Sequence, residues 1–96
     1  MRVMARISVS AEEGNKAIQS GSFAKLMEQT VDRWKPEATY FTTFDGKRTF
    51  YLVLEMPDSS GIPSFAEPFF ETLNAQVDLA PVMNMDDLQK GLSQLG

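Results

Sequence analysis

The side chains able to do chemistry here are carboxylates, guanidinium groups, amines, hydroxyls and phenols, because the 96 residues include no Cys and no His. Without thiols there is no disulfide, no thiolate nucleophile and no Cys-held metal. Without imidazole there is no Ser-His-Asp relay and no His ligand for haem, zinc or non-haem iron. General acid–base work near neutral pH would fall to a carboxylate, Lys or Tyr shifted by its surroundings. Six residues stand out: Arg6, Asn15, Tyr40, Tyr51, Glu55 and Asp78. Alternation along the chain puts Arg6, Glu55 and Asp78 on one face of a sheet. An Arg there could hold a ligand carboxylate while Glu55 or Asp78 serves as a base. The simpler reading is a cross-strand ion pair at an interface. Tyr40 and Tyr51 could stack on a ligand or pack against a second chain. Asn15 follows Gly14 and precedes Gly21-Ser22 in a helical stretch. These residues would let backbone approach a ligand, and the amides opening the next helix form a weak anion site. They suit equally a helix entry that must bend over the sheet edge.

The elements that position these residues follow from periodicity and capping. Residues 2–9 alternate, with Val3, Ala5, Ile7 and Val9 on one side and Arg2, Met4, Arg6 and Ser8 on the other. Period two predicts a half-buried strand. Ser10-Ala11-Glu12-Glu13 forms a capping box for a helix. Gly14 costs that helix about 1 kcal/mol against Ala, so it should be short or kinked, ending near Ser20. Gly21 suits a left-handed end, and Ser22 suits the cap of a second helix. Its inward stripe is Phe23, Leu26, Met27, Thr30, Val31 and Trp34, a spacing that makes Trp34 a core residue. Pro36 closes it at Lys35.

Residues 37–44 and 47–56 flank Asp45-Gly46, the signature of a two-residue hairpin turn. That turn sets Phe44 opposite Lys47, Thr42 opposite Thr49, Phe41 opposite Phe50 and Tyr40 opposite Tyr51. After a loop, Ile62, Phe65, Ala66, Phe69, Phe70 and Leu73 recur at helical spacing. Ser64 with Glu67 reads as the capping box, and Pro68 as a distortion early in the helix. Residues 76–83 read as a strand with Val77 and Leu79 inward, Asp78 and Ala80 outward, and Pro81 at its edge or end. Asn84, followed by Asp86 and Asp87, starts a last helix with Leu88, Leu92 and Leu95 as its stripe.

The order β-α-β-β-α-β plus an extra C-terminal helix predicts one α+β domain, residues 1–96, of ferredoxin-like pattern. Right-handed crossovers give a four-stranded antiparallel sheet, order 4-1-3-2, with the main helices on one face. The other face would carry Met4, Arg6, Tyr40, Thr42, Thr49, Tyr51, Val53, Glu55, Asp78 and Ala80. That is more apolar than a solvated face usually shows, and it predicts a homodimer packed sheet on sheet. Net charge is −4 and the nine basic residues are scattered, which argues against nucleic acid. No apolar run approaches the roughly 20 residues of a membrane span, and Arg6 interrupts any signal-peptide pattern. The lack of Cys fits a cytoplasmic protein. No cofactor is expected.

Three stretches are similar to a family of small bacterial proteins of unassigned function in the dimeric α+β-barrel superfamily. They are Glu13 to Ile18 with Gly21; Lys35 to Phe41 with Asp45-Gly46-Lys47-Arg48; and Ile62-Pro63 with Ala66 to Phe70, Leu73-Asn74-Ala75 and Pro81-Val82-Met83. Together they span nearly the whole chain. The resemblance implies a homodimeric barrel built from two sheets and implies no particular reaction. The superfamily's haem branches use a His, absent here; many oxygenase-like members pair Asn with Trp, and Trp34 has no nearby Asn. The leading expectation is a protein that binds a small molecule between helices and sheet. The alternatives are a cofactor-independent oxygenase or isomerase using Arg6, Tyr40, Tyr51 and Asp78, and a structural protein–protein interaction module.

Overall fold

Alternating apolar residues make β1 (Arg2–Val9) a central strand, with Val3, Ala5, Ile7 and Val9 all buried. The computed structural model describes residues 1–96. After β1 come α1 (Ala11–Ser20), α2 (Ser22–Trp34), β2 (Ala38–Phe44), β3 (Lys47–Glu55), α3 (Gly61–Leu73), β4 (Gln76–Pro81) and α4 (Met85–Ser93). The sheet is four-stranded and antiparallel, in the order β2-β3-β1-β4. This is the α+β, ferredoxin-like architecture expected from the element order. Asp45 and Gly46 have φ of 54° and 73°, as a two-residue turn of this type requires. The register follows: Phe44 faces Lys47, Thr42 faces Thr49 and Tyr40 faces Tyr51.

The core lies between the sheet and α1, α2 and α3. A run of aromatic rings crosses it. Trp34 meets Phe65 at 5.6 Å between centroids, Phe65 meets Phe69 at 5.3 Å, and Phe69 meets Phe50 at 5.9 Å. Phe50 then meets Phe23 at 5.8 Å and Phe41 at 5.6 Å. Offset and edge-on rings at these separations are the favoured arrangements of aromatic pairs.

Several helix starts differ from expectation for identifiable reasons. Gly21, at φ 84°, ends α1 and also begins α2, so Ser22 is the first residue of that helix and not its cap. The Ser22 hydroxyl instead donates back to the Ala17 carbonyl. Val31 is exposed, leaving Leu26 and Thr30 as the buried positions of α2. The α3 helix begins at Gly61, three residues ahead of Ser64, and the Ser64 hydroxyl donates to the Gly61 carbonyl. Ser64 and Glu67 are therefore interior residues, and Pro68 is the eighth of thirteen rather than part of the first turn. Pro63 explains the earlier start: it is the third helical residue, where a backbone donor has no partner to lose. β4 stops at Pro81, two residues before the expected Met83. The Asn84–Asp87 capping box is formed in full.

The Ser60 hydroxyl and amide both donate to Asp58 ahead of α3. These bonds hold the Asp58 carboxyl below the usual carboxylate range. A depressed folded-state value stabilises above the unfolded pKa, and the contribution disappears as pH falls through the folded one. Asp58→Asn should therefore flatten a small part of the acid limb of stability against pH, measured by urea melts across that window. An acid limb identical to that of the parent protein would remove this contribution.

Candidate functional site

Register brings four of the singled-out residues into one line. Asp78 on β4 lies opposite Arg6 on β1, Arg6 opposite Tyr51 on β3, and Tyr51 opposite Tyr40 on β2. They cross the whole sheet on the face that α1, α2 and α3 leave uncovered. The neighbouring row is Ala80, Met4, Val53 and Ala38, apolar throughout. On the other side is Gln76, Ser8, Thr49 and Thr42.

Arg6 is half-buried and reaches Asp78 at 3.4 Å through one nitrogen. Its guanidinium carbon sits 4.4 Å from the centre of the Phe44 ring. Arg6 lies one row before the Ser8–Thr49 pair and Phe44 one row after, so their contact roofs that pair. This accounts for Ser8 and Thr49 being 8% and 2% exposed on a face without helices. Under the roof their hydroxyls meet at 2.9 Å, and the Thr49 hydroxyl is 3.2 Å from the Lys47 carbonyl, which it can donate to. Thr49→Val should cost about 1–3 kcal/mol by orphaning the Ser8 hydroxyl, while adding Ser8→Ala should return most of it. Urea unfolding of the two single variants and the double variant measures this; equal losses in Thr49→Val and the double variant would show that the pair does not act as a unit.

Glu55 does not join the row. It faces Arg2, four residues along β1 and roughly 13 Å from Arg6 at strand spacing. Its carboxylate pairs with the Met1 ammonium. Arg2 binds Glu37 and Asp87 at 2.5 Å each, and the Glu37 hydrogen bond raises the Arg2 pKa. The expected convergence of Arg6, Glu55 and Asp78 therefore holds only for Arg6 and Asp78. The hollow beside them measures about 60 Å³. That is far below the roughly 300 Å³ of a usual small-molecule site, so one chain alone holds no substrate-sized pocket there. Phe44 was not among the residues singled out, although the turn register places it with Tyr40 and Thr42.

Asn15 lies across the molecule, in the helical layer. Its side-chain oxygen accepts from Arg48 at 2.8 Å. Arg48 also reaches the Ala11 carbonyl at 3.4 Å. The guanidinium lies so close to Gly14 that a β-carbon there would sit 2.7 Å from its Nη1. Gly14 is thus explained by a close approach, that of Arg48 over α1. Beside them, between α1, α2 and the β2–β3 hairpin, is a cleft of about 190 Å³ with Val9, Ile18, Phe23, Phe41 and Phe50 in its walls. Sequence reasoning missed Arg48; a glycine inside a helix followed by Asn was the available signal. A broader hollow of about 430 Å³ lies by Arg33, Trp34, Asp58 and Ser60. There Arg33 already covers Trp34, 5.2 Å from its ring centre. No helix is long and apolar enough to cross a membrane, and no cluster of acidic residues could hold a metal ion.

No family model matches the sequence, and no curated relative does either. Among solved structures, the chain is similar to an ACT domain protein from Streptococcus pneumoniae, with TM-score 0.50 and 21% identity over 88% of this chain and 98% of that one. It is also similar to the de novo designed protein Ferredog-Diesel, with TM-score 0.51 and 12% identity over 84% of this chain and 85% of that one. At these identities the likeness is one of fold, and it supports the ferredoxin-like arrangement read from the strand order.

Proposed function

We propose that this chain is a small-molecule-binding domain that works as a homodimer, with a second copy seated on its uncovered sheet face. The observation that carries the reading is that face itself. Tyr40, Phe44 and Met4 are 69%, 46% and 37% exposed there, around an apolar row that spans all four strands. Exposed apolar material of this extent marks an interface. A two-fold axis through the sheet centre would set two such rows face to face. Two sheets packed this way stand about 10 Å apart, with their side chains interleaved. The small molecule would lie between helices and sheet, where the cleft beside Arg48 is found.

The α4 helix extends the same argument. None of its residues is buried; Leu88 and Leu92 are 38% and 55% exposed, and Leu95, expected in the same stripe, lies two residues past the helix end at 81% exposed. An amphipathic helix with an uncovered apolar stripe gains stability only by finding a surface to cover. The Arg2–Asp87 ion pair ties its first turn to β1, while the stripe is left for a partner.

Sedimentation equilibrium and thermal melts with metabolite mixtures test the two halves of the reading. The expected results are a mass of twice 10.7 kDa and at least one mixture that raises the melting temperature. A monomer at all concentrations would remove the dimer. Melting temperatures unmoved by every mixture would remove the ligand.

A further inference from the structure

The cleft beside Arg48 carries a more specific reading, which rests on the proposal that the chain binds a small molecule. Its walls are apolar: Val9 from β1, Ile18 from α1, Phe23 from α2, and Phe41 and Phe50 from the hairpin. Phe50 is 2% exposed and packs against the rings of Phe69, Phe23 and Phe41, so the wall it forms is held from three sides. Ile18 and Phe41, at 51% and 61% exposed, flank the opening. The one charge in the lining is Arg48.

Arg48 is held without being neutralised. Asn15 and the Ala11 carbonyl accept from its two terminal nitrogens. Neither is a charged group, and no carboxylate lies within ion-pair distance although the chain carries thirteen acidic residues. A guanidinium has five N–H groups, so three remain for another partner. Gly14 permits this placement, because any β-carbon there would meet the guanidinium. A fixed, uncompensated guanidinium beside an apolar cleft matches a ligand with a carboxylate at one end and an apolar body at the other.

We propose that this cleft binds a small apolar monocarboxylate, its carboxylate on Arg48 and its ring or branched chain against Phe50 and Phe23. The volume of about 190 Å³ is below that of drug-sized sites, which limits the body to a single ring or a short branched chain.

The test is a titration of the full chain, followed by amide NMR and calorimetry. The probes are benzoate and 4-methylpentanoate, their neutral counterparts benzyl alcohol and 4-methylpentan-1-ol, and acetate. The proposal expects both apolar carboxylates to saturate shifts at residues around Asn15, Arg48 and Phe50. The alcohols should bind about tenfold to a hundredfold more weakly, the loss expected from one charged hydrogen-bonding group, and acetate should also bind more weakly because it lacks the apolar body. Arg48→Gln should weaken benzoate by a similar factor. Gly14→Ala is the second variant, because the only atoms it displaces belong to the flexible Arg48 side chain and α1 gains helix propensity. It should keep the melting temperature and lose benzoate affinity. Equal binding of benzoate and benzyl alcohol, or unchanged benzoate affinity in both variants, would overturn the assignment. If the carboxylates leave these amides unmoved while a metabolite mixture still raises the melting temperature, the assignment falls and the small-molecule reading stands. If nothing binds at all, both fall.

Discussion

Phe69→Ala should bring the protein close to the limit of stable folding. Phe69 is 0% exposed and touches the rings of both Phe65 and Phe50, so it joins the two halves of the aromatic run. Truncating a buried Phe costs about 3–5 kcal/mol, from lost transfer energy and the cavity left behind. A domain of this length has a total stability of roughly 5–14 kcal/mol, so the loss takes a large share. Trp34 is the only Trp and packs on Phe65, which makes its fluorescence a direct reporter. Urea titration should show the midpoint shifted far down, or no folded baseline at all. A loss under about 1 kcal/mol would mean that the site collapses around the gap and the run is not a mechanical unit.

On the proposed sheet-on-sheet pairing, Val53→Asp should separate the two copies while leaving each folded. Val53 is half-buried in the apolar row, opposite Met4 on one side and Ala38 on the other. In one chain the new carboxylate still reaches water. In a sheet-on-sheet dimer it is trapped without a partner, and two-fold symmetry introduces the charge twice. Burying an unpaired charge costs about 3 kcal/mol or more, so dimer affinity should fall roughly a hundredfold or further. Sedimentation equilibrium and circular dichroism together read the outcome. A variant dimer as tight as the parent would place the contact elsewhere, with α4 as the next surface to alter.

The fold was legible wherever local chemistry and tertiary packing agree. Alternation in residues 2–9, the Asp45-Gly46 turn and the Asn84 cap each have one low-energy solution, and the chain adopts it. The β2–β3 register followed from the turn, so Tyr40 opposite Tyr51 was available without coordinates; the place of Arg6 and Asp78 in that row depends on how β1 pairs with β3 and β4, which no tight turn sets. Ser64-Phe65-Ala66-Glu67 misled because a capping box is a short pattern that an interior helix segment satisfies equally well. The side-chain hydroxyl there bonds one turn back, a contact that costs the helix little. Arg48 was not legible because its contact with Asn15 spans 33 residues and depends on how α1 sits over the hairpin. Glu55 was misplaced by distance along the strand: sharing a face is not sharing a row.

The sheet order leaves β2 at an edge, and its composition gives that position a consequence. Ala38 to Phe44 reads Ala-Thr-Tyr-Phe-Thr-Thr-Phe, seven residues with no charge, no Gly and no Pro. Such a segment is well suited to cross-β stacking, and its outer backbone groups have no neighbouring strand. Only Glu37 and Asp45 guard its ends. Concentrated protein held near its melting temperature should polymerise from this strand. Thr43→Lys, an exposed substitution within it, should lengthen the lag before thioflavin fluorescence rises. The strand that carries Tyr40 and Phe44 to the uncovered face thereby sets fibril formation in competition with the proposed pairing of two copies.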